Sequence, residues 1–114
     1  MIVDVLDESL PHGMHWLNSE YGHDFNYRHG RRGALQRARY WSRPKRTPDA
    51  LLAAYRYVAR NPVEAGLAAH AIDWPWSSFA TSCGITDAFP FVDASCVVDA
   101  LGGDPRALFD LVRN

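Results

Sequence analysis

No apolar run in this chain approaches the ~20 residues that a membrane-spanning helix needs, so a membrane partner is not expected. The opening segment MIVDVLDESLPHG carries acids where a secretory signal would carry basic residues, which points to a cytoplasmic protein. Cysteine is scarce: Cys83 and Cys96 are the only two, too few for a disulfide scaffold and expected as lone thiols in a reducing compartment. There is no HExxH pattern, internal repeat or low-complexity tract. What is present is enough for one small folded unit: 114 residues, 47% hydrophobic and 12% aromatic.

Acids are also missing from one stretch, and that gap is informative. Between Phe25 and Pro48 stand Arg28, Arg31, Arg32, Arg37, Arg39, Arg43, Lys45 and Arg46, with no Asp or Glu among them. The chain has 12 Lys and Arg against 13 Asp and Glu, so four basic residues and every acid lie elsewhere. A block of one sign either stays solvated or meets a polyanion. Tyr27, Tyr40 and Trp41 lie among these arginines, and that mixture suits phosphates with stacked bases.

The periodicity predicts a mostly α-helical chain. Ser9 to Asn26 reads as a first helix, with Pro11 in its first turn and Met14, Leu17, Tyr21 and Phe25 on one apolar face. RHGRRG (28–33) is turn material, and Pro44 limits any regular helix through the basic stretch. Thr47-Pro48-Asp49 supplies a cap, a first-turn proline and an early acid for a second helix through DALLAAYRYVAR. Pro62 is expected to end it and to open a short helix from Val63 to Ala68. Trp74 and Trp76 are expected in the core, residues 80–92 as a loop, and two short helices over 93–101 and 105–112. IVDVL (2–6) allows at most one short strand.

Two clusters carry chemistry. His12 and His15 share a helix face at i and i+3, but lack further ligands and read as exposed polar residues. Tyr57 and Asn61, four apart, project from one face of the second helix. A phenol, with its pKa of about 10, becomes a nucleophile when a metal polarises the phosphate and the site holds the hydroxyl in line. A tyrosine on an amphipathic helix otherwise packs.

The segment YRYVARNPVEAGL (55–67), followed by DWPWSSF (73–79), resembles the signature of REP-associated tyrosine transposases, single-tyrosine relatives of the HUH endonuclease superfamily. GMHWLNSEYGHDFNYRHGRRGALQRARY (13–40) upstream, and PFVD and LGGDP downstream, are similar to family stretches in the same order. The resemblance covers 13–114 and leaves 1–12 unmatched. It implies the helical part of an α+β fold built on a ferredoxin-like sheet, acting on single-stranded or hairpin DNA at palindromes, in the bacterial cytoplasm beside the nucleoid. It makes Tyr57 the nucleophile that forms a 5′-phosphotyrosine, Asn61 an assisting ligand for Mg²⁺ or Mn²⁺, and the basic residues from Arg28 to Arg46 contacts for DNA.

The sequence departs from that family at the metal. The superfamily holds its cation with His-hydrophobic-His on a sheet strand, and among His12, His15, His23, His29 and His70 no two are separated by one residue. Bound metal is therefore not expected, and metal polarisation is worth several kcal/mol, so this chain alone is expected to be catalytically impaired. A decayed fragment, a misassigned start codon and a protein kept for DNA binding all remain open, as does a helical module that docks RNA or an acidic protein through 25–48. Helix surfaces left without a sheet, with Met14, Leu17 and Phe25 as candidates, favour a homodimer.

Overall fold

Helix α1 (Leu10–His29) begins with Pro11 in its first turn, where a missing N–H costs nothing. No side chain caps it; instead the Ser9 N–H donates to Asp7 Oδ1 at 2.9 Å. At the other end Gly30 takes a left-handed φ of 60°, and the Arg31 N–H reaches back to the Asn26 carbonyl at 2.9 Å. That closure needs a residue without a Cβ penalty, and it carries α1 three residues past Asn26. The computed structural model describes residues 1–5 and 7–113. Among them there is no strand, so the chain is mostly α; Leu6, the last residue of the expected strand, lies outside the described residues.

Helix α2 (Pro48–Glu64) follows its sequence signals at the start, where Thr47 Oγ1 accepts from the Ala50 N–H at 3.2 Å. Its end does not. Pro62 neither stops α2 nor opens a second helix at Val63; it lies inside α2 and is buried. A proline removes one intrahelical bond, but here it falls in the last turn, where the termination motif takes over. Gly66 adopts φ 71°, its N–H meets the Val63 carbonyl at 3.0 Å, and the Leu67 N–H meets the Pro62 carbonyl at 2.8 Å.

Beyond α2 come a 3₁₀ turn (Ala71–Asp73), α3 (Phe79–Ser82), α4 (Ser95–Ala100) and α5 (Ala107–Val112). The last two fall inside the spans expected from sequence, while α3 occupies the start of the expected loop. Asp93 and Asp104 open α4 and α5, each accepting from the N–H two residues on, at 2.8 and 2.9 Å.

The backbone divides into two compact units, Val3–Arg43 and Met1–Ile2 with Pro44–Asn114. The core belongs to the larger one. Ala59, Ala71, Phe79, Val97, Leu108 and Val112 are buried, flanked by Leu51, Leu52, Tyr55, Val63 and Ile72. These α2 positions fall on one side of the helix, and Tyr57 and Asn61 project from the other. Phe79 fills the place expected for the tryptophans: its ring lies 5.8 Å from Phe109 and 6.5 Å from Tyr55. Trp74 is half-buried and Trp76 is 81% exposed, because the turn through 74–78 sends successive side chains in different directions.

Two arginines tie α2 to the carboxyl end of α5. Arg56 Nε donates to the Leu111 carbonyl at 3.0 Å, and Arg60 Nη1 to the Val112 carbonyl at 3.2 Å. Those carbonyls have no intrahelical partner, and the negative end of the helix dipole favours a cation there. Arg60 also grips Glu64 Oε1 at 2.7 Å, a pair in which the carboxylate is largely exposed. Arg60→Ala is expected to lower the unfolding free energy, read by urea titration, by about 1–3 kcal/mol. Glu64→Ala should cost no more than about 0.5 kcal/mol. Equal losses from the two would assign the effect to the ion pair instead of the cap.

Candidate nucleic-acid interface

The basic residues divide between the two units. Arg28, Arg31, Arg32, Arg37, Arg39 and Arg43 belong to the smaller unit, and Lys45 and Arg46 precede α2 in the larger one. All eight are exposed. Arg28 is partly committed, to Asp24 at 2.9 Å across one helical turn, and the guanidinium of Arg31 lies 5.9 Å from the Phe25 ring centre. Exposed pairs of the first kind contribute little and yield readily to a stronger anion. Arg28 and His29 also sit where the α1 dipole favours positive charge.

The expected apolar face of α1 is only partly covered. No residue of α1 is buried. Of the expected apolar face, Leu17 and Tyr21 are 42% and 57% exposed while Met14 and Phe25 are half-buried; Trp16 is 63% exposed. The other half-buried positions include Asn18, Ser19, Gly22 and Asn26, which follow at three- and four-residue steps. The chain after Gly30 doubles back along this polar seam. Asn26 Nδ2 donates to the Gly33 carbonyl at 2.8 Å, and a Cβ added at Gly22 would lie 3.8 Å from that of Leu35. Periodicity shows which residues share a face; residues 33–40 pack on the side of Gly22 and Asn26, with Leu35 against Gly22, and leave Leu17 and Tyr21 outward.

Between this seam and residues 33–40 runs an open groove of about 710 Å³. His15, Asn18 and Asn26 line it from α1, and Gln36, Arg37, Arg39 and Tyr40 from the returning segment. Asn26 Oδ1 is buried there without a hydrogen-bond partner. The basic residues at 37 and 39 were legible as charge; their convergence with α1 amides was not, because it depends on the Gly30 closure and the Asn26 clamp.

Tyr57 is 70% exposed on the solvent side of α2, with Asn61 exposed one turn on. Glu64, one turn further, is held by Arg60. A divalent cation needs several oxygen or nitrogen ligands, and one amide beside a committed carboxylate does not fit it. Among the described residues no group of three or more His, Cys, Asp or Glu comes together as a metal site. His12 and His15 are both exposed on α1, without a further ligand.

Other potential nucleophiles are suppressed. Cys83 and Cys96 are free and half-buried. Burial pushes the Cys83 thiol up to about 11. The Tyr55 hydroxyl has no hydrogen-bond partner, and its pKa is raised by burial, which the Ser82 hydroxyl opposes. Both groups therefore stay neutral at physiological pH, when thiolate or phenolate would be the reactive form.

Both shifts penalise ionisation in the folded state only, so the unfolded chain loses these protons first and stability falls as pH rises. The thiol contribution is expected to disappear between the ordinary value of 9.0 and about 11. Urea midpoints measured from pH 8 to 11 should decline over that window, and Cys83→Ala should flatten the decline; an unchanged slope would mean that Cys83 is solvated. No helix among the described residues is long and apolar enough to cross a membrane. No family model matches the chain, and no curated protein or solved structure does.

Proposed function

We propose that the chain is a DNA-binding member of the REP-associated tyrosine transposases, the helical part of their α+β fold, acting in the bacterial cytoplasm beside the nucleoid. The observation that carries this reading is the acid-free stretch between Phe25 and Pro48, whose eight basic side chains are all exposed. Tyr27, 89% exposed, and Trp41, 82% exposed, stand among them. Exposed large aromatics cost hydration unless a partner covers them, and bases stack on them while arginines neutralise phosphates. The motifs around Tyr57 favour hairpin or single-stranded DNA as the partner.

Catalysis is a separate matter. Tyr57 is free to meet a phosphate, but no donor set near it fits the Mg²⁺ or Mn²⁺ of the intact family. The chain by itself therefore binds DNA without cutting it. The outward stripe of α1, centred on Leu17 and Tyr21, is the surface on which a second copy packs.

The test is a gel-shift titration of labelled hairpin DNA with Mn²⁺, beside Tyr57→Phe. A salt-sensitive complex with no adduct surviving denaturation is expected, and Tyr57→Phe should bind equally well. On single strands log K falls by about 0.7 per neutralised phosphate against log salt, so Arg31→Ala with Arg32→Ala should lower the slope by about one to two. A covalent adduct lost in Tyr57→Phe would reinstate catalysis, and no complex at low salt would refute DNA binding.

A further inference from the structure

We propose that the groove between α1 and residues 33–40 seats one unpaired nucleotide of a DNA strand, with Arg37 and Arg39 on its phosphate and Tyr40 against its base. The inference rests on the DNA-binding reading above and adds where the strand goes and in what form. Asn18, Ser19 and Asn26 of α1 are half-buried while Trp16, Leu17 and Tyr21 face outward, and Asn26 Oδ1 is buried without a hydrogen-bond partner, which is costly. What that arrangement gains is a concave surface in which polar and cationic groups stand beside the apolar Leu35 and Ala38.

The groove has the features of a nucleotide site. Its volume of about 710 Å³ lies within the range of pockets that enclose small molecules. Arg37 and Arg39 are two apart, line the same groove and have no ion-pair partner among the described residues. Tyr40 is half-buried at the same wall and offers the only aromatic ring among the lining residues other than imidazole. His15, Asn18 and Gln36 add donors and acceptors of the kind that pair with base edges. Asn26 is a positioning residue: its amide N–H pins the Gly33 carbonyl and thereby holds the arginine-bearing segment to α1.

The chemistry selects an unpaired nucleotide. A base inside a duplex keeps both faces stacked and shows only its edges, so it cannot lie against Tyr40. A base in a loop or a flanking single strand has a face free. Hairpin DNA then engages through its unpaired nucleotides, while paired segments meet only the outer arginines.

The experiment is a fluorescence-anisotropy titration of the full chain with three labelled probes of equal length at low salt: an unstructured strand, a hairpin with a single-stranded flank, and a blunt duplex. The first two are expected to bind at least tenfold more tightly than the duplex. Base stacking is worth about 1–3 kcal/mol, so Tyr40→Ala should weaken the unstructured strand by about 5-fold or more, and Tyr40→Phe should restore it. Gln36→Glu adds an acid inside the groove at an exposed position, and should weaken binding severalfold more than Ser42→Glu, which adds the same charge outside it. Circular dichroism confirms that each variant is folded. If all three probes bind equally, or if Gln36→Glu and Ser42→Glu act alike while Arg31→Ala with Arg32→Ala still weakens the complex, DNA binding stands and the groove proposal falls. If no probe binds, both fall.

Discussion

Arg56 and Arg60, reaching from α2 to the last carbonyls of α5, are the contacts on which the larger unit depends. The helices it joins are short: α4 and α5 have six residues each, and α3 four. Segments of that length are not stable as isolated helices, since nucleation is unfavourable and few bonds repay it. They persist because α2 offers a long apolar side to pack on and two guanidiniums that satisfy backbone acceptors α5 cannot satisfy itself. Leu108, fully buried, and Val112 then lock between α2 and the 3₁₀ turn. Each of α4, α5 and the 3₁₀ turn packs directly on α2, so the short elements depend on that one helix and its Thr47 cap.

That dependence explains what sequence could and could not reveal. The start of α2 was legible because Thr47, Pro48 and Asp49 act locally, through one hydrogen bond and one preset φ. Its end was misread at Pro62 because the deciding residue is Gly66, four positions on, whose left-handed turn lets the last turn survive a missing donor. Trp76 and Phe79 show the same limit: both are large and aromatic, and only the path of the chain through the 74–78 turn decides that Phe79 enters the core. In α1 the helix itself was legible but its orientation was not. Periodicity tells which residues share a face, and no local signal tells whether anything in the chain will cover it.

The division of labour within the proposed site follows from similar distances. Tyr57 stands on a helix whose rear surface is fixed in the core, so its position is rigid relative to α2. Yet the basic side chains of the acid-free stretch end at Arg46, just before the α2 cap. Ten residues of helix separate Thr47 from Tyr57, about 15 Å along the axis, which exceeds the screening length of about 8–10 Å at physiological salt. Neither Lys45 nor Arg46 can therefore do much for charge at the phenol through α2 alone. The two cations near it on the helix are already engaged, Arg56 with the Leu111 carbonyl and Arg60 with Glu64 and the Val112 carbonyl.

In the proposed reading, phosphate binding and attack by a phenol would fall to different parts of the chain, because their physical requirements differ. Phosphate binding tolerates loose geometry, because a guanidinium on a flexible stem finds its partner and each contact adds to the total. Attack by a phenol tolerates almost none, because it needs the hydroxyl deprotonated, in line and opposed by concentrated positive charge at the same moment. The exposed arginines meet the first requirement, while Tyr57, exposed on α2 beside two guanidiniums already committed to α5, misses the second. The groove on α1 belongs with the first group: its amides and guanidiniums meet the looser requirement, and Tyr57 is not among the residues that line it.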